Sequence, residues 1–377
     1  MSRFFLDYAA GAPLLPAVRE GLAEFLARCG GNPSGIYTEG REVRERIDEV
    51  RELVADALGV LFGEVIFTSG GTEAAQLALL GVARAATSRR RILLGAGDHH
   101  CVLHQKVWLE RLGFVCDVIP IDRRGALDEN AYREALGDDV LLVSLLHGQN
   151  ETGYLADVAR HAGWAKAVGA LALVDAVQTF PYADGHRWTV DELGADLLMV
   201  SGHKLGAPSG VGALAIKAGT PIEAVLLGGG QERDMRAGTE NVLGVLGFGI
   251  ALQAALSDTT RDERKRAQRD AFAAALEGFL PTLPPGTPRL AGHCHGRFPG
   301  ITADSFLIRA DRAGIAASAG AACSSGSIEP SHVLLAGGWT EVEAREGLRF
   351  SFGGDDADPI AAAKIVNQVA RAIQAGN

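Results

Sequence analysis

The stretch EVIFTSGGTEAAQLALLGVARAA, residues 64–86, contains in one segment the two kinds of element that decide the fold. Residues 64–69 form a short β-branched run typical of a buried strand, and residues 72–86 have the apolar spacing of a helix. Gly70, Gly71 and Thr72 lie at the junction. The first N–H groups of such a helix can bind an anion such as phosphate. The alternative interpretation is an ordinary strand–turn–helix junction in which Thr72 caps the helix and no anion is bound.

The same alternation of strand and helix continues along the first two-thirds of the chain. The other apolar runs are RILLGA (91–96), VLLVSLL (140–146), ALALVDA (170–176) and DLLMVS (196–201). Helices are predicted between them at 102–112, 129–136 and 155–168. This order predicts an α/β fold whose mostly parallel central sheet is covered on both faces, with ligands at the carboxyl ends of the strands.

The C-terminal third has a different composition. DTTRDERKRAQRDAFAAALEGFL (258–280) predicts a highly charged amphipathic helix, and a strand at GLRFSF (347–352) and a closing helix follow. We therefore predict a large domain over residues 14–251 and a smaller α+β domain over residues 252–377, which also includes residues 1–13.

Composition excludes several classes of function. The 377 residues are 47% hydrophobic, enough for a large core, and carry a formal net charge of −10, which gives no general attraction for nucleic acid or anionic membranes. The N-terminus MSRFFLDYAAGAPLLP (1–16) lacks the pattern of a secretory signal, and no apolar run is long enough to span a bilayer. We expect a soluble, cytoplasmic protein with no membrane or direct nucleic-acid partner.

The cysteines indicate a reducing compartment. The cysteines are Cys29, Cys101, Cys116, Cys294 and Cys323. Because they are odd in number, scattered and without a C-x-x-C pair, they argue against a disulfide framework and against a zinc ribbon. Cys323 stands in SAGAACSSGSIEPSH (318–332), where small and polar neighbours predict an exposed reactive thiol rather than a buried apolar side chain.

Polar side chains follow three of the predicted strands. The amides Gln149 and Asn150 follow the strand that ends at residue 146. The acid Asp175 and the amide Gln178 follow residue 174. Ser201, His203 and Lys204, which carry a hydroxyl, an imidazole and an amine, follow residue 200. Taken one at a time, each of these side chains more often has a structural role than a catalytic one. Together, a lysine that can form a Schiff base, an acid for a pyridine nitrogen and a helix N-terminus for a phosphate predict a pyridoxal 5'-phosphate site.

Two histidine-rich segments suggest metal binding at first sight. In DHHCVLH (98–104), His100 and His104 have the spacing that shares a helix face, yet no second cluster completes a coordination sphere. We interpret His99 as a flat side chain for stacking on a ring. GHCHG (292–296) supplies at most two ligands, and we predict a loop there and no metal site.

Eight motifs in chain order resemble the cysteine desulfurases of the class V aminotransferases, which are fold-type I pyridoxal phosphate enzymes. They are GNPSG (31–35), TSGGTEA (68–74), DHHCVL (98–103), NETG (150–153), VDAVQ (174–178), SGHKLGAPSGVGAL (201–214), GGGQERDMRAGTENV (228–242) and SAGAACSSGSIEPSHVL (318–334). The resemblance spans nearly the whole chain, and its lysine, RAGTEN and cysteine-loop segments are specific.

The resemblance implies a role for individual residues. Lys204 resembles the Schiff-base lysine, Asp175 the partner of the pyridine nitrogen, and Cys323 the nucleophile. The implied contacts to the cofactor ring come from His99, Gln178 and Asn150, those to its phosphate from Gly71, Thr72, Ser201 and His203, and those to the substrate from Asn32, Asn150 and Arg349. Thr239 matches a residue that reaches the cofactor phosphate of the other subunit, which implies a homodimer.

The implied activity converts L-cysteine to L-alanine and leaves the sulfur on Cys323 as a persulfide. A sulfur-acceptor protein, either an iron–sulfur scaffold or a sulfur carrier, is the implied partner. The alternatives are a selenocysteine lyase or a class V aminotransferase, a non-enzymatic protein of the same fold, and a metal-binding protein. Compared with the family pattern, Asp98 replaces Glu, Gln149 replaces Asn, and Ala319 and Ala321 replace Ser, which leaves the reactivity of the thiolate open.

Overall fold

The computed structural model describes residues 3–28, 30–320, 329–354 and 357–376 of the chain. Its strands in these ranges are β1 (Phe4–Phe5), β2 (Val65–Thr68), β3 (Arg91–Gly95), β4 (Val115–Ile119), β5 (Val140–Leu146), β6 (Leu171–Asp175), β7 (Leu197–Ser201), β8 (Gly212–Ile216), β9 (Leu280–Pro281), β10 (His293–Arg297), β11 (Ile315–Ala316) and β12 (Gly347–Ser351).

Helices cover most of the remaining chain in the same ranges. They are α1 (Pro16–Arg28), α2 (Thr38–Leu58), α3 (Gly71–Ala85), α4 (His100–Leu103), α5 (Lys106–Arg111), α6 (Glu129–Ala135), α7 (Val158–Ala167), α8 (Val242–Ser257), α9 (Arg261–Ala275), α10 (Ala303–Arg312), α11 (His332–Ala336), α12 (Glu341–Arg345) and α13 (Pro359–Gln374).

The main sheet has seven strands in the order β2-β8-β7-β6-β5-β3-β4, and only β8 runs antiparallel to its neighbours. Alternate residues of each strand enter opposite cores. In β7, Leu198 and Val200 pack in the core with α2, α7 and α8, whereas Leu197 and Met199 pack in the core with α3 and α5. The predicted α/β fold with a mostly parallel, two-sided sheet is therefore confirmed.

A third core forms in the C-terminal third of the chain. Strands β12, β10 and β9 form an antiparallel sheet, and β1 pairs in parallel with β11. Apolar residues of α9, α10 and α13 pack against one face of this sheet, together with Leu6 from the N-terminus. The predicted boundary after residue 251 falls inside α8, which ends at Ser257, and the division into two domains stays a prediction.

The loop predicted at GHCHG is wrong. His293–Arg297 is β10, the middle strand of the antiparallel sheet, hydrogen-bonded to β12 on one side and β9 on the other. Cys294 enters the apolar core, and the alternating His293 and His295 lie on the opposite face. Both imidazoles are buried, which a sequence reading of histidine as polar does not anticipate.

Membrane-spanning helices are long and apolar, unlike the single helices of the residues that the structure describes. No single helix there is long and apolar enough to cross a membrane, and the bent pair α8 and α9 meets the test by length and composition only.

Candidate active site

The carboxyl ends of β3, β5, β6 and β7 surround a cavity of about 200 Å³ next to the N-terminus of α3. Parallel strands end on one edge of the sheet, so residues far apart in sequence meet there. The cavity is lined by Ala9, Ala10, Gly71, Thr72, His99, Cys101, Leu146, Asn150, Asp175, Val177, Gln178, Ser201, His203, Lys204 and Arg349. Ten of the residues singled out from the sequence are in this set.

Lys204 enters the cavity from a single 3-10 turn, Gly202–Lys204, directly after β7. Its Nζ donates hydrogen bonds to two backbone carbonyls of the N-terminal segment, Ala9 O at 2.6 Å and Ala10 O at 2.9 Å. The amine is therefore held at the cavity by neutral acceptors.

Asp175 is the last residue of β6 and is buried. Burial raises the pKa of its carboxyl to about 6, although the N–H of Val177, at 2.9 Å from Oδ1, and the charge of Lys204 both act to lower it. A buried carboxylate of this kind gains most from a cationic partner, such as a protonated ring nitrogen. Its place in the cavity fits that role.

His99 and Gln178 present flat polar groups to the same cavity. The N–H of Cys101 donates to His99 Nδ1 at 3.1 Å, which leaves Nδ1 without a proton. Burial, and then the charge of Lys204, lower the pKa of His99 to about 4, so its ring is neutral at neutral pH. Gln178 Nε2 donates to Ala9 O at 3.0 Å. A neutral ring facing the cavity is suited to stacking on an aromatic ligand.

The turn between β2 and α3 lines the cavity with Gly71 and Thr72. Gly70 has φ +144, and a Cβ added at Gly212 would lie only 2.7 Å from the Cα of Gly70. A Cβ at Gly71 would lie 3.1 Å from Val177 Cγ2. Because the first N–H groups of α3 have no helical acceptor, this glycine-lined turn fits a phosphate group.

Ser201 and His203 complete this end of the cavity. Ser201 Oγ and His203 Nδ1 are 2.8 Å apart, a hydrogen bond whose direction depends on the imidazole tautomer. Burial, with the charge of Lys204 second, lowers the pKa of His203 to about 4. Both side chains are thus neutral groups able to hydrogen-bond an anion.

Arg349 reaches the cavity from the second sheet. It lies in β12, is 1% exposed, and donates to Asn150 O and to Asp7 Oδ1, each at 2.8 Å. Its Nε has no hydrogen-bond partner among the described residues. A buried arginine with a donor to spare fits a carboxylate ligand.

Two of the predicted residues do not line this cavity, and the position of a third is not described. Asn32 and Thr239 are exposed and are not among its lining residues, and the Oδ1 of Asn32 accepts from the N–H of Ser34 at 2.9 Å. Cys323 lies outside the described residues, as does Ala321. The roles predicted for all three stay predictions.

Sequence reasoning missed the importance of Glu151. This side chain, next to Asn150, is 0% exposed and accepts a hydrogen bond from Ser331 Oγ. A Cβ at Gly320, which has φ +77, would lie 2.8 Å from Glu151 Oε2. The described residues on both sides of segment 321–328 therefore meet at the carboxylate of Glu151. The place of Glu151 inside the NETG motif was the sequence signal that could have indicated its importance.

The remaining histidines of the 98–104 cluster stack on one another. The ring centroids of His100 and His104 are 4.6 Å apart, and those of His100 and His332 are 4.1 Å apart. Within the described part of the chain, no group of three or more His, Cys, Asp and Glu residues could hold a metal ion.

Comparison with known proteins identifies the family. The family model described as "Aminotransferase class-V" matches residues 4–356. The chain belongs to the class-V aminotransferase family. Within it, the chain is similar to the cysteine desulfurases: it is 41% identical over 355 residues to "Cysteine desulfurase IscS" of Dictyoglomus turgidum, covering 93% of this chain and 89% of that protein.

Two solved structures are similar to this chain over most of its length. A structure titled "NIFS-LIKE PROTEIN" matches with a TM-score of 0.89 and 27% identity over 99% of both chains. One titled "SspA in complex with cysteine" matches with a TM-score of 0.79 and 27% identity, over 94% of this chain and 99% of that one. These matches confirm the resemblance that the sequence motifs indicated.

Proposed function

We propose that this protein is a pyridoxal 5'-phosphate-dependent cysteine desulfurase, which converts L-cysteine to L-alanine and retains the sulfur as a persulfide on Cys323. The observation that carries the proposal is the cavity in which Lys204, Asp175 and the N-terminus of α3 meet, in a chain 41% identical to a cysteine desulfurase. We further propose that it works as a cytoplasmic homodimer.

The cofactor would be held at its two ends. Lys204 would bind it covalently, and Asp175 would form an ion pair with its ring nitrogen. His99 would stack on the ring, with Gln178 and Asn150 at its edge, while its phosphate would be bound by Gly71, Thr72, Ser201 and His203. When bound, pyridoxal 5'-phosphate supplies an electron sink for the pair released at the substrate's Cα.

Arg349 is the group suited to bind the carboxylate of the substrate. Arg349 lines the same cavity as Lys204, and its buried Nε has no hydrogen-bond partner among the described residues. A bound carboxylate would compete with Asp7 and the carbonyl of Asn150 for this guanidinium, and would be fixed in one orientation. The cysteine complex of the related SspA structure supports a small amino acid as the substrate.

Lys204 would act as the general base that takes the proton from Cα. Its Nζ is held by two carbonyl oxygens, which orient the amine without neutralising it. The thiolate of Cys323 would then attack the sulfur of the substrate, so that an S–S bond forms as the C–S bond breaks. The carbon fragment would leave as L-alanine after taking up one proton at Cβ and one at Cα, the second replacing the proton that Lys204 removed.

The homodimer is proposed because Thr239 and Asn32 are exposed and away from the cavity of their own chain. Residues of this kind can complete the site of a second copy. The sulfur on Cys323 would pass to an acceptor protein for iron–sulfur cluster or thio-cofactor assembly.

Mass spectrometry after incubation with L-cysteine tests the function directly. We expect an added sulfur on the Cys323 peptide and an equal amount of L-alanine. Cys323→Ser should bind the cofactor and lose the added sulfur. Formation of a keto acid instead of alanine would favour the aminotransferase alternative, and turnover of selenocysteine alone would favour the lyase.

A further inference from the structure

A second cavity lies on the other side of Lys204. It measures about 90 Å³ and shares with the first cavity four residues that form the wall between them: Ala9, Val177, Gln178 and Lys204. The carbonyl of Ala9 is central to this wall, because it accepts hydrogen bonds from both Lys204 and Gln178. We call this space the rear cavity.

The rear cavity reaches the surface at the turn between α8 and α9. Asp258, exposed Thr259 and Arg261 line it there, whereas Gly292, His293 and Ser351 line it deep inside. Lys204 lines its inner end, so the rear cavity extends from Lys204 toward solvent without passing through the cavity proposed for the cofactor.

His293 is the buried polar group without a partner in this cavity. It is 8% exposed, and its Nε2 has no hydrogen-bond partner among the residues that the structure describes. His293 packs directly against the backbone at Gly153, since a Cβ added at Gly153 would lie only 2.6 Å from the Cβ of His293. A buried imidazole nitrogen requires a hydrogen-bond partner, and the cavity is the space that can contain one.

The charged groups along the cavity are already paired. Lys265 Nζ donates to Asp262 Oδ1 at 2.9 Å, Arg264 donates to Asp258 Oδ1 at 2.9 Å, and Arg261 donates to the carbonyl of Gly353 at 3.0 Å. The two carboxylates are each paired with a cation, so neither is left to select a bound cation. The ligand that such a small polar space favours is water.

We propose that the rear cavity binds ordered water that connects Lys204 with solvent, and that His293 is the positioning residue for this water. The inference rests on the proposed function, in which Lys204 takes the Cα proton. The ammonium of Lys204 passes one proton to the nearest water as that water passes one to the next, and solvent at the α8–α9 turn receives the last. No other bond changes, and Lys204 is again a free base.

The neutrality of His293 suits positioning rather than storage of the proton. Burial, followed by the charges of Arg349, Lys265 and Lys204, holds the pKa of His293 well below its usual value. The groups that face it are therefore cations and the neighbouring His295, and a protonated imidazole is disfavoured. The Nε2 of His293 can therefore hydrogen-bond a water molecule without taking up the proton that passes from Lys204 along the water molecules.

A high-resolution crystal structure of the holoenzyme provides the first test. We expect ordered water within hydrogen-bond distance of His293 Nε2 and further water toward Thr259. A dry cavity would overturn the proposal whatever the activity of the protein.

Exchange of the Cα hydrogen of L-alanine in D2O, followed by NMR, provides the second test. His293→Leu removes one hydrogen bond to the water chain and should slow exchange by about three- to tenfold. Ala255→Leu fills the cavity from α8 and should slow it without altering His293. His293→Gln keeps an acceptor and should restore most of the rate.

Cys294→Ala is the matched control, because Cys294 lies in the same strand but faces the apolar core. It should exchange at the wild-type rate per bound cofactor. Equal rates in wild type, His293→Leu and Ala255→Leu would overturn the proton route even if water were present. A wild-type protein that neither exchanges alanine nor releases it from cysteine would instead contradict the proposed function.

Discussion

Ser331 donates a hydrogen bond from its hydroxyl to the carboxylate of Glu151, a side chain that is 0% exposed. The same Ser331 hydroxyl accepts the N–H of Leu334 at 3.2 Å and caps α11. Glu151 thus connects the start of α11 with the segment that carries Asn150, at the edge of the candidate active site. Gly320 approaches the same carboxylate from the other side of segment 321–328.

Glu151→Gln and Ser331→Ala should therefore each slow sulfur transfer while the cofactor stays bound. Loss of a hydrogen bond to a charged group is worth about 1.5–3 kcal/mol, which corresponds to about a ten- to hundredfold lower kcat for alanine release if the bond positions Cys323. The double variant should be no worse than the more severe single one, because Ser331→Ala removes the bond that Glu151→Gln weakens by removing the charge of its acceptor. Ser257→Ala, on the surface of α8, is the control, and additive losses would contradict the shared role.

Lys204→Ala should abolish covalent attachment of the cofactor and lower alanine formation by at least about a hundredfold, since it removes both the attachment point and the general base. Borohydride reduction followed by peptide mass spectrometry measures the attachment. Lys166→Ala, an exposed lysine of α7, should behave as wild type. Cofactor attached at a different lysine would show that the assignment of Lys204 is wrong.

Asp175→Asn should stabilise the cofactor-free protein at pH 8. The folded-state pKa of Asp175, about 6, lies above the ordinary value of 3.8, so folding favours the protonated carboxyl. Stability from this group is therefore greatest at low pH and falls as the pH rises toward 6, by roughly 3 kcal/mol in total. An uncharged amide avoids this loss.

Urea denaturation of both cofactor-free proteins at pH 4 and pH 8 measures the difference. It should be largest at pH 8 and should shrink toward pH 4, where both side chains are neutral. The same variant should bind the cofactor more weakly because the ring nitrogen loses its anionic partner. A free energy of unfolding that depends on pH identically in both proteins would contradict the prediction.

Arg349→Lys should raise the KM for L-cysteine by about ten- to hundredfold, because an ammonium cannot pair with a carboxylate through two parallel hydrogen bonds. The charge opposite Asp7 is kept, which limits damage to the fold. Steady-state kinetics measure KM, and the absorbance of bound cofactor serves as the control. An unchanged KM would assign the substrate carboxylate to a different group.

Much of the candidate site could be predicted from the order of strands and polar residues. Asp175, Ser201 and Lys204 follow apolar runs, and parallel strands place their carboxyl ends on one edge. The antiparallel strand β8 and the edge strand β4 were not predicted, because GALAI and VCDVI are short and mixed in character. The burial of His293 in β10 was missed for a related reason, since its neighbours in space come from β12 and β9.

The sequence by itself determined the class of fold, the family and the residue types of the cavity, because hydrophobic periodicity and the motifs after each strand are local signals. Only the tertiary structure decided which groups hold those residues in place. The carbonyl of Ala9 is 195 residues from Lys204, and Asp7 is 342 residues from Arg349. Contacts between segments so far apart depend on how the N-terminal segment crosses between the two sheets, and no local pattern of residues encodes that path.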